Sequence, residues 1–126
     1  MERLHVLEKV KQRKEKIGLT LDNISKLSQL GNRTVTRFFS GEDVKLSTLE
    51  KITTVMGLDF AGNETVDIKT LKESRAKEKA LYIVSLVQDT SALEMQGLES
   101  EALQSLMEDT KEQFLTGAYQ KNLWAS

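Results

Sequence analysis

The segment from Thr20 to Gly41 constrains the fold more than any other part of the chain, because it contains two short helical patterns with a turn between them. Apolar residues recur in both patterns at helical spacing, which gives each predicted helix one apolar face. These positions are Leu21, Ile24, Leu27, Val35, Phe38 and Phe39. Helices this short need tertiary packing, so the segment predicts a small helical domain with a shared core.

The turn between the two predicted helices, residues 28–31, reads Ser-Gln-Leu-Gly. Glycine adopts backbone angles that other residues avoid, so we expect Gly31 to provide them in this turn. Leu30 is expected to fill the angle between the helices. Thr20 is a favourable N-cap for the first of them, and it is followed by Asp22 near the positive end of the helix.

The face of the second helix that points away from the predicted core is polar and basic. It carries Asn32, Arg33, Thr34, Thr36 and Arg37. These side chains donate and accept hydrogen bonds in ways that suit base edges and phosphates. Small helical domains also have polar residues outside, so this composition alone leaves a merely solvated surface open as an alternative.

The segment resembles the Cro/repressor-type (Xre) helix-turn-helix family of DNA-binding proteins. The family pattern falls on Thr20, Ile24, Ser25, Thr34, Val35, Arg37 and Gly41. Residues 46–58 are similar to the next helix of that family and residues 4–17 to its first helix, so the resemblance covers about half of the chain. It implies a domain of four to five helices whose third helix enters the major groove of double-stranded DNA.

Three positions depart from the family pattern. Ser25 stands where alanine is usual, Gln29 stands where the turn usually has glycine, and Leu21 stands where glutamine often holds a phosphate. A left-handed conformation at Gln29 would be unfavourable by about 1 kcal/mol, because its Cβ crowds the backbone.

The chemistry of these side chains, together with the resemblance, predicts the contacts with DNA. Asn32 and Arg33 would read bases near the start of the helix, and Arg37 would read a guanine or a phosphate one turn later. Ser28 and Thr34 would steady the DNA backbone. The complete predicted set of DNA-binding residues is Thr20, Ser28, Asn32, Arg33, Thr34, Thr36, Arg37 and Lys45.

The flanking helices of the first half have clear signals. Residues 4–17 predict a helix that ends at Gly18, and a later helix is predicted with a capping box at Ser47 and Glu50 and a stop at Gly57. The predicted solvated basic residues of the first helix are Lys9, Lys11, Arg13, Lys14 and Lys16. The inward residues predicted for the later helix and the segment after it are Leu46, Leu49, Ile52, Thr53, Met56, Leu58 and Phe60.

The composition favours an all-helical protein. The 126 residues include no proline and no cysteine, while Leu, Lys and Glu are abundant. The lack of cysteine excludes disulfide bonds and thiolate metal sites. No stretch is long and apolar enough for a membrane helix, and no secretory signal core follows the N-terminus, so we expect a soluble cytoplasmic protein.

Charge divides the chain into two halves. Residues 1–60 contain 11 Lys/Arg and 8 Asp/Glu, a balance of +3, whereas residues 61–126 contain 7 and 11, a balance of −4. Binding to phosphates requires local positive charge, which the first half provides. We therefore predict a DNA-binding domain at 1–60, a connector at 61–67 and a helical dimerisation or partner-binding region at 68–126.

The second half predicts a helix from about residue 68 and another over residues 100–115. The block at 80–87 is apolar almost all round, so it must be buried on more than one side. In a chain this small a second copy most simply provides that burial, and we expect a homodimer. The residues predicted at the dimer interface are Ala80, Ile83, Val84, Val87 and Trp124.

Two functions fit the sequence. The first is a sequence-specific transcriptional regulator, most simply a repressor, that binds a near-palindromic operator as a dimer. The alternative is an antitoxin, whose acidic C-terminal region binds a protein toxin while the N-terminal domain represses its own operon. An enzyme is not expected, because the chain has no cysteine, one isolated histidine and no phosphate-binding glycine loop. No metal or cofactor is expected either.

Overall fold

The computed structural model describes residues 3–93 and 100–125 and is all-helical over these ranges. The helices are α1 (Arg3–Ile17), α2 (Leu21–Ser28), α3 (Asn32–Phe39), α4 (Leu46–Val55), α5 (Ile68–Leu93), α6 (Ser100–Leu115) and a short 3-10 helix (Gln120–Asn122). Within these ranges the only bridge of β type is an isolated antiparallel one between Leu58 and Glu64. The predicted all-α class is therefore confirmed.

The chain forms two compact units, which we call the first unit (up to Leu71) and the second unit (Lys72–Ala125). In the first unit α2 packs on both α3 and α4, and α1 contacts α3. Its buried apolar side chains are those at helical spacing, namely Val6, Leu7, Val10, Ile17, Leu19, Ile24, Val35, Phe38, Ile52, Met56 and Leu58. Four short helices thus share one core, as the apolar periodicity predicts.

The turn between α2 and α3 differs from the prediction at one residue. Gln29 is left-handed, with φ 60° and ψ 30°, whereas Gly31 is extended, with φ −68° and ψ 151°. The left-handed residue must directly follow α2, because its N–H closes the last helical turn on the carbonyls of Ser25 and Lys26. Gly31 lies two residues too late for this role, and the prediction for it was wrong.

Ser25 connects this turn to the body of α2. The side chain is buried, and its Oγ donates a hydrogen bond of 2.5 Å to the carbonyl oxygen of Leu30. The N–H of Leu30 in turn donates to the carbonyl oxygen of Ser25 at 3.1 Å. These two hydrogen bonds fix the turn from both sides, and an alanine at position 25 would provide only the second.

The starts of α2 and α4 are capped differently. At α2 the Thr20 hydroxyl accepts the N–H of Asn23 at 3.0 Å, and the Asn23 side chain accepts the N–H of Thr20 at 3.2 Å, which completes a capping box. At α4 the N-cap is Lys45, which makes no side-chain hydrogen bond to the helix. The predicted capping box at Ser47 is therefore wrong, because Leu46 and Ser47 already have helical backbone conformation.

The end of α4 follows the prediction. Gly57 is left-handed with φ 70°. Its N–H donates to the carbonyl oxygen of Thr54 at 3.1 Å, and the N–H of Leu58 donates to that of Thr53 at 2.9 Å. This is the hydrogen-bond pattern of a Schellman motif, and the buried Leu58 provides the apolar contact that accompanies it.

Two residues predicted in the core are on the surface. Leu46 is 60% exposed and Phe60 is 59% exposed. Leu46 is the first residue of α4, ahead of the part of the helix that packs inward. Phe60 lies in a tight loop, in which the carboxylate of Asp59 accepts the N–H groups of Ala61 and Asn63, both at 2.9 Å.

Arg13 is the main residue whose place the sequence pattern missed, since its side chain is buried rather than solvated. Its Nε donates to the carbonyl oxygen of Met56 at 2.9 Å, and its other guanidinium nitrogens bind the Glu64 carboxylate and the Val66 carbonyl oxygen. The arginine follows Val10 by three residues and precedes Ile17 by four, which places it on the buried face of α1. It holds the segment after α4 against α1.

The second unit is built on a small-residue face of α5. Ala76, Ala80 and Val84 recur every fourth residue and are buried, as are Phe114, Leu123 and Trp124. Arg75 closes this unit by donating from Nε to the Leu123 carbonyl oxygen at 2.9 Å and from Nη2 to the Ala125 carbonyl oxygen at 2.7 Å. The predicted helices at 68 and at 100–115 are both present.

Asp67 marks the start of α5. Its carboxylate accepts the N–H of Thr70 at 2.7 Å. Hydrogen bonds from Thr70, chiefly from its side chain and then from its backbone, lower the pKa of Asp67, because they stabilise the ionised carboxylate. The connector therefore ends in a charged helix cap.

Candidate nucleic-acid interface

The orientation of α3 is determined by its aromatic and branched side chains. Val35 and Phe38 are buried, and Phe39 is half-buried. The rings of Phe38 and Phe39 meet edge to face, with their centres 5.0 Å apart. This anchoring leaves the opposite face of α3 directed away from the core of the first unit.

The outward face of α3 contains the residues that the sequence predicts there. Asn32, Arg33, Thr36 and Arg37 are exposed, and Thr34 is half-buried at the edge of the face. No described segment of the first unit covers the exposed members of this face. The face therefore offers a row of hydrogen-bond donors and acceptors on an eight-residue helix.

The two arginines give this face an uncompensated positive charge. Among residues 3–93 and 100–125, no carboxylate forms an ion pair with Arg33 or Arg37. They are four residues apart on α3, so two like charges lie one turn apart, an arrangement unfavourable by roughly 0.2–0.5 kcal/mol on an exposed helix. The first turn of α3 also has no side-chain cap, because its N-cap is Gly31.

The predicted contacts outside α3 divide into two groups. Thr20 and Lys45 are exposed at the starts of α2 and α4. The Thr20 oxygen accepts the N–H of Asn23, which leaves its hydroxyl proton for another acceptor. Ser28 is different, because it is buried and its Oγ donates to the carbonyl oxygen of Ile24 at 2.6 Å. The structure does not support Ser28 as a DNA contact.

The residues predicted for the dimer interface lie mainly in the interior of the second unit. Ala80, Val84 and Trp124 are buried within the single chain, and Ile83 is half-buried. The side chain of Val87 lies outside the described residues. Burial of the block on more than one side was predicted, but among its described residues only Ala80 and Val84 are buried, in the same unit as Phe114 of α6 and Leu123 and Trp124 of the C-terminal segment.

Other residues of the same stretch of α5 expose large apolar side chains. Leu81 is 49% exposed, Tyr82 67% and Leu86 51%. They belong to the same apolar block, residues 80–87, that supplies Ala80 and Val84 to the core. Only the packing separates the buried from the exposed members of that block, because nearly all its residues are apolar.

The part of the chain that the structure describes lacks the features of a metal site and of a membrane-spanning helix. It contains no group of three or more His, Cys, Asp or Glu residues arranged to hold a metal ion. None of its helices combines the length and the apolar character that crossing a bilayer requires. Comparison with known proteins found no matching family model, no matching curated protein and no matching solved structure.

Proposed function

We propose that this protein is a sequence-specific DNA-binding transcriptional regulator, most simply a repressor. The observation that carries the proposal is the outward face of α3, where Arg33 and Arg37 are exposed and have no acidic partner among the described residues. Two like charges one helical turn apart do not stabilise the folded state. Phosphates and guanine edges in a major groove are the partners that would compensate them.

Three further features support this reading. The sequence of α2, the turn and α3 resembles the Xre helix-turn-helix pattern. The α3 helix is held on the protein by Val35 and Phe38, so its outer side remains accessible. Lys45 and Thr20 are exposed at the starts of two other helices of the first unit and are suited to phosphate contacts.

A single unit of this size would bury only about 600–1,000 Å² on DNA, which is small for specific binding. We therefore propose that two copies bind a near-palindromic site, with half-sites about one helical turn, or roughly 34 Å, apart. The exposed Leu81 and Tyr82 in the second unit are the side chains proposed for the contact between copies.

The proposal is tested with an Arg33→Ala, Arg37→Ala double variant of the full chain. Binding to a duplex selected from a random pool is measured by fluorescence anisotropy. We expect specific affinity to fall on the order of 100-fold or more, since two hydrogen-bonded base contacts are lost. The matched control is Lys69→Ala, Lys77→Ala, which removes the same charge from exposed positions of α5. If the double arginine variant and the double lysine variant bound the duplex with equal affinity, the proposal that α3 binds in the major groove would be refuted.

A second candidate, an antitoxin, is favoured by one observation, namely the same exposed Leu81 and Tyr82. This apolar surface would suit a protein toxin as well as a second copy. The mass of the purified chain in solution separates the two uses. A stoichiometric complex with a small protein encoded beside it supports the antitoxin, while a dimer that forms no such complex supports the regulator alone.

A further inference from the structure

Arg33 and Arg37 lie along the middle of the outward face of α3, which we call its central line. An α-helix turns by about 100° per residue, which places Arg33 and Arg37 roughly 40° apart around the helix. On the same basis their mean direction lies about 180° from that of the buried Val35 and about 120° from that of the buried Phe38. The two guanidinium groups therefore project most directly away from the core, whereas Asn32 and Thr36 lie on one flank and Thr34 on the other.

This arrangement distinguishes base contacts from phosphate contacts. When a helix lies in the major groove, residues on its central outward line face the base edges and residues on its flanks face the two sugar-phosphate strands. The central line of α3 consists of Arg33 and Arg37. Its flanks carry short polar side chains, which suit phosphate oxygens, so Asn32, for which the sequence predicts a base contact, is assigned to a phosphate instead.

The chemistry of the central line specifies the base. Guanine presents two acceptors, N7 and O6, to the major groove, and an arginine guanidinium donates to both at once. Reading cytosine directly requires an acceptor such as a carboxylate, and the sequence from Asn32 to Phe39 contains no acidic residue. Each arginine is therefore matched to a G·C pair, with the guanine on either strand.

The spacing of the two arginines limits the distance between the two guanines. Four residues of helix rise by about 6 Å. Base pairs are stacked about 3.4 Å apart, so this rise corresponds to no more than about two base-pair steps. Resting on the proposed function, we infer that each operator half-site contains two G·C pairs with at most one base pair between them, one read by Arg33 and the other by Arg37.

The test is selection of bound duplexes from a random pool, performed with the full wild-type chain and with Arg33→Ala and Arg37→Ala separately. The wild-type protein is expected to enrich half-sites with the two G·C pairs. Each variant is expected to lose the preference at one position only, by roughly 5- to 150-fold, which is the discrimination of one bidentate contact. Both residues are exposed, and thermal unfolding verifies that each variant remains folded.

A chemical probe and a control variant complete the design. Replacing either guanine by 7-deazaguanine removes the N7 acceptor, so it should weaken wild-type binding but leave the variant that lacks the corresponding arginine unaffected. Lys45→Ala should keep both base preferences while reducing the slope of log K against log salt by about 1, as expected for a phosphate contact.

The outcomes separate this inference from the proposed function. Enrichment of a half-site without two such G·C pairs overturns the inference and leaves DNA binding intact. The inference is also overturned if an arginine variant binds all sequences more weakly by the same factor and the slope of log K against log salt falls by about 1. That result identifies a phosphate contact and leaves DNA binding intact. Failure to enrich any sequence overturns the proposed function itself.

Discussion

Gln29 is the residue at which local chemistry and fold disagree. It has the left-handed backbone conformation that glycine adopts easily, with φ 60°, and its side chain is exposed. A residue with a Cβ is less stable in this conformation by about 1–2 kcal/mol. The packing of α2 against α3 and the hydrogen bond from Ser25 to Leu30 hold the turn in place despite this.

Replacing Gln29 by glycine should stabilise the protein. Relief of the backbone strain outweighs the larger conformational entropy of glycine in the unfolded chain, which is about 0.4–1 kcal/mol. We expect the free energy of unfolding to rise by about 0.5–1 kcal/mol in urea titrations. Gln12→Gly is the contrasting variant, since Gln12 is exposed inside α1 and glycine should destabilise the protein there. Destabilisation by Gln29→Gly would contradict the assignment of strain to this residue.

At the scale of elements, the segment after α4 belongs to the first unit and is more than a linker. Arg13 of α1 binds three acceptors, of which Met56 precedes this segment and Glu64 and Val66 lie within it. Gly57 fits closely, because a Cβ there would lie 3.0 Å from the Val66 carbonyl oxygen. The isolated antiparallel bridge between Leu58 and Glu64 joins the two ends of the loop that lies between these residues.

Removal of the Arg13 side chain should therefore destabilise the first unit. Arg13→Ala leaves the carbonyl groups of Met56 and Val66 without their charged donor, and we expect a loss of about 2–4 kcal/mol in denaturant unfolding. Glu64→Ala removes only the ion pair and should lower stability by less than Arg13→Ala does, because the carboxylate is 54% exposed and both backbone acceptors keep their donor. If Arg13→Ala and Glu64→Ala lowered the free energy of unfolding equally, the stabilisation would come from the ion pair and not from the hydrogen bonds to the backbone carbonyls.

At the scale of the whole molecule, each unit has its own core, and the association of copies that we propose would depend on the exposed apolar side chains of α5. Ala80, Val84 and Trp124 are covered within the chain and have little surface left to offer. Leu81 and Tyr82 remain outside. Large apolar side chains that adjoin one another on a surface commonly mark a contact with another protein.

Acidic substitution of this surface should abolish dimerisation. We expect Leu81→Glu, Tyr82→Glu to halve the mass measured by light scattering, because two charges would have to be buried in the contact. Lys11→Glu, Gln12→Glu, at exposed positions of α1 in the first unit, should remain dimeric. A doubly acidic Leu81, Tyr82 variant that keeps the wild-type dimer mass would exclude this face as the contact between copies.

The sequence by itself determined the helices, their approximate ends and the outward face of α3, because these depend on spacing, capping residues and glycines that act locally. The spacing of Val35, Phe38 and Phe39 was enough to place Arg33 and Arg37 on the outside. Local signals failed where the role of a residue depends on its exact position relative to a helix end, as at Leu46 and Ser47 in the first turn of α4 and at Gly31 three residues after the end of α2.

Only the tertiary structure decided the roles that depend on distant partners. Helical spacing places Arg13 on the inward face of α1, but its charge alone suggested a solvated side chain; it is buried because the Met56 carbonyl, Glu64 and Val66 come to it from more than 40 residues away. Ser28 is likewise withdrawn from the surface by the packing of α2. In the block from 80 to 87, apolar character alone could not separate core from surface, because the direction of each side chain is set by what packs against α5.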